Sequence, residues 1–573
     1  MRGGFPAVEE FSRRPWLAVY PAGVRPSLEY PQVPLDQLVD NAAREFPDRD
    51  ATVFFNKGMT YRELLRQTQC FTTSLQRLGL KKGDRVAVIL PNCPQCVIAY
   101  YGIMKAGGVV VMVNPMYVER ELEYQLKDAG ARIVVVLDHL YPRLRKVRQT
   151  VKFDHVIWTG MHDYLPFPLN LLYPVKARRE KHQVGVPAGP GIHHFTSLVK
   201  GVGLPQPVPV APDDIALLQY TGGTTGVSKG AMLSHKNMMA NVMQTTEWLV
   251  GSRRGGEKVL AALPFFHVYG MTCALNFSVA LAATMVVHPR FVVGDILKSI
   301  NRTKPTLFPG APTMYVAVIN HPDVKRYDIR SITACISGSA PLPVEVQERF
   351  EALTGGRLVE GYGLTEAAPV THSNPIYGRR KTGSIGLPFP DTDAWVVDLE
   401  TGSRFLEPGE VGELAVRGPQ VMGGYWNRPD ETQAVLKDGW LLTGDVARVD
   451  EEGYFYIVDR KKDMIIAGGF NIYPREVEEI LYEHPKVLEA AVIGVPDPYR
   501  GETVKAFVVV KPGEAATAEE IIAFCQEKLA RFKVPKMVEF RAELPKTMVG
   551  KVLRRILAEE DAARRAAELP RQA

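Results

Sequence analysis

The feature that most constrains this chain is a repeated change of hydrophobic rhythm through residues 85–137. Short apolar runs at 85–90, 109–113 and 132–137 alternate with two stretches of helical spacing, 94–105 and 118–128. Strands separated by helices cannot pair through tight hairpins, so this order predicts a parallel sheet covered by helices on both faces. The same rhythm returns over 258–362, with strands expected at 259–263, 284–288, 306–308, 333–336 and 357–360. Two stacked α/β subdomains are the expected result.

Further along, the pattern changes twice. Residues 383–459 alternate in short runs divided by Gly and Pro, as in Gly412-Glu-Leu-Ala-Val-Arg-Gly418, which predicts a β-rich subdomain. After the charged run Asp459-Arg-Lys-Lys-Asp463, Pro474 opens a helix to about Tyr482. Strands near 490–494 and 505–510 and a helix at 518–529 follow. The expected organisation is an N-terminal region 1–458, a hinge at 459–463 and a small mobile α+β domain 464–573.

Charge and composition exclude several functions. The 573 residues carry 69 Lys+Arg against 63 Asp+Glu, a net +6 that is too dilute to form a nucleic-acid-binding field. Residues 1–20 lack the apolar core of a secretory signal and carry Arg2, Glu9, Glu10, Arg13 and Arg14. Six cysteines in so long a chain do not form a disulfide framework, so a cytoplasmic location is expected. Cys93-Pro-Gln-Cys96 lies at a strand-to-helix turn, where a redox pair and a structural turn both fit. Residues 259–287 contain no Asp, Glu, Lys or Arg, long enough to span a bilayer. Pro264, His267, Gly270, Asn276 and Ser278 interrupt that run, which reads as a buried strand, loop, helix and strand, with a membrane-embedded segment as the alternative. Residues 165–182 join an apolar stretch to Lys176, Arg178, Arg179 and Lys181, the composition of a peripheral contact with anionic membrane or of an ordinary insertion.

The strongest chemical signal is Tyr220-Thr-Gly-Gly-Thr-Thr-Gly-Val-Ser-Lys-Gly230, expected between a strand at 215–218 and a helix from Ala231. Glycines let backbone N–H groups converge on an anion, while Thr221, Thr224, Thr225 and Lys229 add hydroxyl donors and a positive charge; Gly222 and Gly223 form the cradle. Ser228 precedes Lys229 where a Walker A loop requires Gly, so P-loop NTPase chemistry is disfavoured. Further on, Tyr362 between Gly361 and Gly363 has the shape to stack on a purine, and equally to be a core tyrosine. Glu366, next to Thr365, is a hard oxygen ligand suited to Mg²⁺ or a solvated helix-start residue. Asp445 in Thr443-Gly-Asp445 can accept from two ribose hydroxyls or close an Asx-turn.

Taken in order, the loop, Ile336-Ser-Gly-Ser-Ala-Pro341, Glu360-Gly-Tyr-Gly-Leu-Thr-Glu366, Thr443-Gly-Asp445 and Pro545-Lys-Thr-Met-Val-Gly-Lys551 resemble the adenylate-forming superfamily of acyl-CoA synthetases, adenylation domains and luciferases. The resemblance runs from about Pro34 to Leu557. Leu263-Pro-Phe-Phe-His-Val-Tyr-Gly270 and Ala467-Gly-Gly-Phe-Asn-Ile-Tyr-Pro-Arg475 are most similar to bacterial long-chain fatty-acid CoA ligases. That likeness implies ATP and coenzyme A as co-substrates, Mg²⁺ as cofactor and a fatty acid as the acid, and it permits a homodimer. A medium-chain or aryl-CoA ligase, a fatty acyl-AMP ligase loading a carrier protein and, of a different class, a membrane-embedded fatty-acid carrier built on 259–287 stay open as alternatives.

The resemblance also implies roles for individual residues. Gly338, Ser339, Ala340, Glu360 and Ile457 would line the adenylate, Arg460 would add a ribose contact, and Thr225 with Glu366 would hold the metal. Lys551, by itself a member of a solvated basic face with Arg554 and Arg555, would bridge substrate carboxylate and α-phosphate. His267 would lie near the reacting carbonyl, with Phe265, Phe266, Tyr269 and Met271 as acyl walls. Met271 stands where some relatives carry a tryptophan gate. Lys462 would be the pivot, and Gly468, Gly469 and Phe470 the CoA-facing segment. Lys258 and Arg290 are the only charged side chains between Glu257 and Asp295, so this region offers no carboxylate for a substrate ammonium, which disfavours amino-acid activation.

Overall fold

A computed structural model describes residues 14–173, 185–201, 203–221, 228–467, 470–547 and 550–568. The chain divides into two compact units, one of 14–393 with 417–441 and one of 394–416 with 442–573. The second unit thus groups β-rich residues with the C-terminal α+β segment, where the sequence suggested a cut at 459–463.

In the larger unit, a seven-stranded sheet has the order Ile192–His194, His155–Thr159, Ile133–Leu137, Arg85–Ile89, Val109–Met112, Ile215–Thr221, Lys229–Ser234. All its pairs are parallel except the last. The helix Pro94–Lys105 has the bounds its sequence predicts: Pro94 is preorganised for the first helical position, and Ala106 caps the end. Its side chains are buried almost all round, which explains why it shows little amphipathic contrast.

A second sheet runs Lys258–Ala261, Thr284–Val287, Asp50–Phe54, Lys57–Thr60. A third runs Ala334–Ser337, Arg357–Gly363, Val370–Ser373, Leu387–Pro388. Leu307 bridges Val259 on one side and Ala334 on the other, so the expected strand at 306–308 is a single bridging residue linking these sheets. Residues 259–287 fold as a strand, a helical run with a π-helical stretch Met271–Asn276, and a strand, with almost every side chain buried. Among the described residues no helix is long and apolar enough to cross a membrane.

In the other unit, residues 445–449 at the end of the strand Trp440–Val449 pair antiparallel with Phe455–Arg460. A five-stranded sheet holds Phe470–Ile472, Ile465–Ala467, Gly501–Val510, Val487–Asp497 and Met537–Phe540. Its two long strands form one hairpin from Val487↔Val510 to Asp497↔Gly501, where the sequence predicted two shorter segments. Helices Pro474–Glu483 and Ala518–Lys528 supply Val477, Leu481, Ile521 and Cys525 to the core beneath it.

Candidate active site

The Thr/Gly-rich loop joins two antiparallel strands, Thr221 pairing with Lys229, rather than a strand and a helix. The helix starts later, at His235, because the Ser234 hydroxyl accepts from the Asn237 N–H at 3.1 Å and caps it. A helix N-terminus therefore contributes nothing directly at Ala231, and the expected strand–loop–helix cradle is a hairpin. Gly222, Gly223, Thr224 and Thr225 lie outside the described residues; Thr221 and Lys229 are half-buried at the strand ends.

Lys229 makes an ion pair with Glu431, and its Nζ lies 5.3 Å from the centre of the Tyr425 ring. The Tyr425 hydroxyl donates to Glu366 Oε1 at 2.7 Å. Tyr425 therefore links the candidate phosphate cation to the candidate metal carboxylate, and Glu431 pairs with the same cation. Neither was singled out from sequence: Gly424-Tyr-Trp-Asn-Arg-Pro-Asp-Glu-Thr432 has no strand or helix period, and only its density of polar and aromatic side chains marks it. This segment lies beside the strand Lys229–Ser234, with Trp426 N–H donating to Gly230 O and Met232 N–H to Gly424 O.

Glu360, Gly361, Tyr362 and Gly363 end the strand Arg357–Gly363, and Thr365 and Glu366 follow in a short 3₁₀ turn. The two glycines have structural reasons of their own. A Cβ on Gly361 would lie 2.7 Å from Ile336 Cγ2, and one on Gly363 would lie 2.2 Å from Pro369 O. Tyr362 is half-buried and meets the His372 ring edge-on at 5.9 Å. Burial holds His372 neutral, its pKa pushed down to about 3.

Gly338, Ser339 and Ala340 leave the strand Ala334–Ser337, with Ser339 at φ 72°. The Tyr269 hydroxyl bonds to Ile336 O at 2.6 Å and Gly310 O at 3.2 Å, so this buried ring braces that turn as well as the region expected to be an acyl wall. Phe265 and Met271 are fully buried, while Phe266 and His267 are half-buried. His267 Nδ1 accepts from the Tyr269 N–H at 3.3 Å, which puts the proton of the neutral ring on Nε2. Asn92, also unforeseen, donates to Leu263 O at 2.7 Å and accepts from the Phe265 N–H at 2.7 Å, fixing the backbone just before His267.

In the second unit, register places Asp445 opposite Arg460, with Arg460 Nε 3.4 Å from Asp445 Oδ1. Buried Glu413 holds the turn behind them: it accepts from the Gly444 N–H at 3.0 Å and pairs with Lys461 at 2.8 Å. Ile457 lies on the paired strand, and Phe470 stacks on Phe532 at 4.6 Å; Gly468 and Gly469 lie outside the described residues.

Lys551 sits in a tight loop whose ends are tied by Thr547 N–H to Lys551 O at 2.8 Å. Withdrawal from water, reinforced by the Arg460 and Lys462 charges and opposed by Asp445 and Asp463, lowers its pKa to about 7. Anions arriving beside a lysine placed so favour its cationic form. Cys93 and Cys96 are buried free thiols, and burial pushes Cys93 up to about 12, so thiolate chemistry is disfavoured there.

The sequence matches the AMP-binding enzyme family over residues 39–426 and the AMP-binding enzyme C-terminal domain over 476–551. This chain belongs to the AMP-binding enzymes. Among its relatives in that family, the long-chain-fatty-acid–CoA ligase of Bacillus subtilis (strain 168) is 52% identical over 556 residues, spanning 96% of this chain and 98% of that one. The ligase of the same name from Yersinia pestis is 43% identical over 553 residues, 95% and 98% of the two chains. Among solved structures, ATP-bound MatB from Rhodopseudomonas palustris superposes with a TM-score of 0.81 at 31% identity, covering 92% of this chain and 99% of that one.

Proposed function

We propose that this AMP-binding enzyme is a long-chain fatty-acid CoA ligase. ATP and a fatty carboxylate give acyl-AMP and pyrophosphate; the CoA thiol then displaces AMP, which supplies the leaving group a bare carboxylate lacks. The observation that carries this reading is the near full-length similarity to ligases of that name. The charge-free, buried interior of 259–287 supports an alkyl rather than an ammonium-bearing acid. Initial rates of AMP release with CoA, measured from acetate to oleate and cinnamate, test it. A kcat/KM maximum among the long-chain acids is expected; a maximum at short, medium-chain or aryl acids, or transfer only to a carrier protein, overturns it.

In this reading the 221–229 loop and Lys229 grip the phosphates, Tyr362 stacks on adenine, and Gly338–Ala340 line the acyl-phosphate. Asp445 and Arg460 hold the ribose, and His267 donates from Nε2 toward the carbonyl oxygen. Lys551 neutralises the charge that builds as carboxylate meets α-phosphate. Residues 464–573 swing about Lys462 to present Phe470 and its neighbours for thioester formation. Among the described residues no cluster of three His, Cys, Asp or Glu side chains is arranged to hold a metal. One carboxylate, Glu366, fits Mg²⁺, which takes few protein ligands and completes its shell with substrate phosphates. Bound there, it would offset phosphate charge.

Peripheral contact with anionic membrane belongs to the same proposal. Phe167, Leu171 and Leu172 are 80%, 61% and 57% exposed, and the basic residues 176–181 follow outside the described residues. Flotation with phosphatidylglycerol vesicles is expected to carry the protein upward, and the Phe167→Ser/Leu171→Ser variant to stay behind. Equal behaviour of the two proteins removes the contact, and the vesicle-free sedimentation run reads whether a homodimer forms.

A further inference from the structure

The ion pair between Lys229 and Glu431 has a feature that a purely structural pair does not need. Lys229 is the cation of the candidate phosphate loop, 14% exposed, yet its partner is a carboxylate that is 37% exposed on the helix Pro429–Val435. An anionic ligand reaching Lys229 must compete with that carboxylate. Glu431 also has somewhere to go. Its other oxygen lies 3.9 Å from the Arg428 Nε one helical turn away, and Arg428 is itself anchored to Asp128 at 2.8 Å. The backbones on both sides are fixed: Ala231 and Tyr425 form an antiparallel bridge, and the Tyr425 N–H donates to Thr432 Oγ1 at 2.9 Å. Only side chains need to move for Glu431 to exchange Lys229 for Arg428. Meanwhile the Tyr425 ring keeps the ammonium near 5.3 Å and the Tyr425 hydroxyl keeps Glu366 in place.

We propose that Glu431 is an intramolecular counter-anion that occupies Lys229 when no polyphosphate is bound, yields it to the triphosphate of ATP, and reclaims it as pyrophosphate departs. The proposal rests on the reading of Lys229 as a phosphate contact. The pair does two things for a two-step enzyme. It keeps a partly buried cation satisfied in the empty site, and it weakens the hold on pyrophosphate, which must leave before the second half-reaction. Coulomb energies between partly exposed charges are modest, so the exchange tunes affinity without abolishing binding.

The test is calorimetric titration of tripolyphosphate and adenosine into the full-length protein. Glu431→Gln keeps the shape and removes the charge. It is expected to bind tripolyphosphate roughly three- to tenfold more tightly, the range for one partly screened charge, with adenosine affinity unchanged. Pyrophosphate should become a correspondingly stronger product inhibitor. Glu431→Ala should act in the same direction, and unchanged adenosine binding in either variant reports an intact fold. Lys229→Ala should weaken tripolyphosphate binding, and the gain from Glu431→Gln should vanish in that background. If Lys229→Ala weakens tripolyphosphate but Glu431→Gln does not tighten it, the counter-anion role is overturned and the phosphate loop stands. If Lys229→Ala has no effect on tripolyphosphate, the loop reading itself is wrong, and the role of Glu431 goes with it.

Discussion

Replacing Lys551 by alanine is expected to lower acyl-adenylate formation by about a thousandfold, the scale for losing one preorganised charge-stabilising donor. Thioester formation from supplied acyl-AMP should stay within a few-fold of the parent protein, because the lysine serves only where two anions converge. Its pH dependence gives an independent readout. With a pKa of about 7 in the ligand-free protein, the side chain is an ammonium below that pH and a neutral amine above it. The kcat/KM for adenylation, which reports free enzyme, should therefore fall as pH rises through about 7. Bound anions raise the pKa, so kcat should hold to higher pH. Lys551→Arg, charged throughout, should lose that alkaline limb even if its absolute rate is lower. Equal loss of both half-reactions in Lys551→Ala, or an unchanged limb in Lys551→Arg, would remove Lys551 from the adenylation step.

The second large effect is expected at the joint. The Arg460 carbonyl accepts from the Asp463 N–H at 3.0 Å and the Met464 N–H at 3.2 Å, so residues 461–463 form a single helical turn. Proline at 462 would force Lys461 toward extended backbone and break that turn. Lys462→Pro should therefore select against the arrangement in which Lys551 lies beside Asp445 and Arg460. A cost of about 3 kcal/mol for a misplaced proline corresponds to roughly a hundredfold loss of adenylation. Thioester formation from supplied acyl-AMP should persist, and the melting temperature should change little because the turn holds few core contacts. Lys462→Gly, which permits any φ, should retain both steps. Parent-like adenylation by Lys462→Pro would place the pivot elsewhere.

Residues 459–463, where the sequence suggested a cut, lie in the same compact unit as residues 464–568, and contacts from downstream tie them there. Arg554 reaches Glu478 at 2.6 Å, Asp463 at 3.2 Å and Asp459 at 3.9 Å. Asp459 further accepts from the Arg475 N–H at 2.7 Å, and its burial raises its pKa to about 6. The charged run 459–463, read along the chain, is a solvated linker. In the folded protein its two carboxylates, Asp459 and Asp463, face Arg554 from far downstream, while Arg460 and Lys461 pair with Asp445 and Glu413 upstream.

Local patterning determined a good deal. The spacing of apolar residues located the helix Pro94–Lys105 at both ends and the strands Arg85–Ile89, Val109–Met112 and Ile133–Leu137 to within about a residue, because rise and side-chain period are properties of neighbouring residues. The absence of charge over 259–287 marked an interior segment, since uncompensated burial of ions is too costly for such a stretch to contain them. What lay beyond local pattern is the pairing of distant segments. Nothing near Asp50–Phe54 says that it lies parallel to Thr284–Val287, or that Thr284 Oγ1 donates to Asp50 O at 2.8 Å. The hairpin that replaced the expected helix at Ala231 is set partly by residues 423–426 lying against it. The Tyr425 bond to Glu366, the Glu431 hold on Lys229 and the approach of Lys551 to Asp445 are likewise decided by where the chain returns. A side chain's partners and its withdrawal from water belong to the folded surroundings, so sequence alone could name Lys551 as a candidate, and only the tertiary structure could bring its pKa near neutrality.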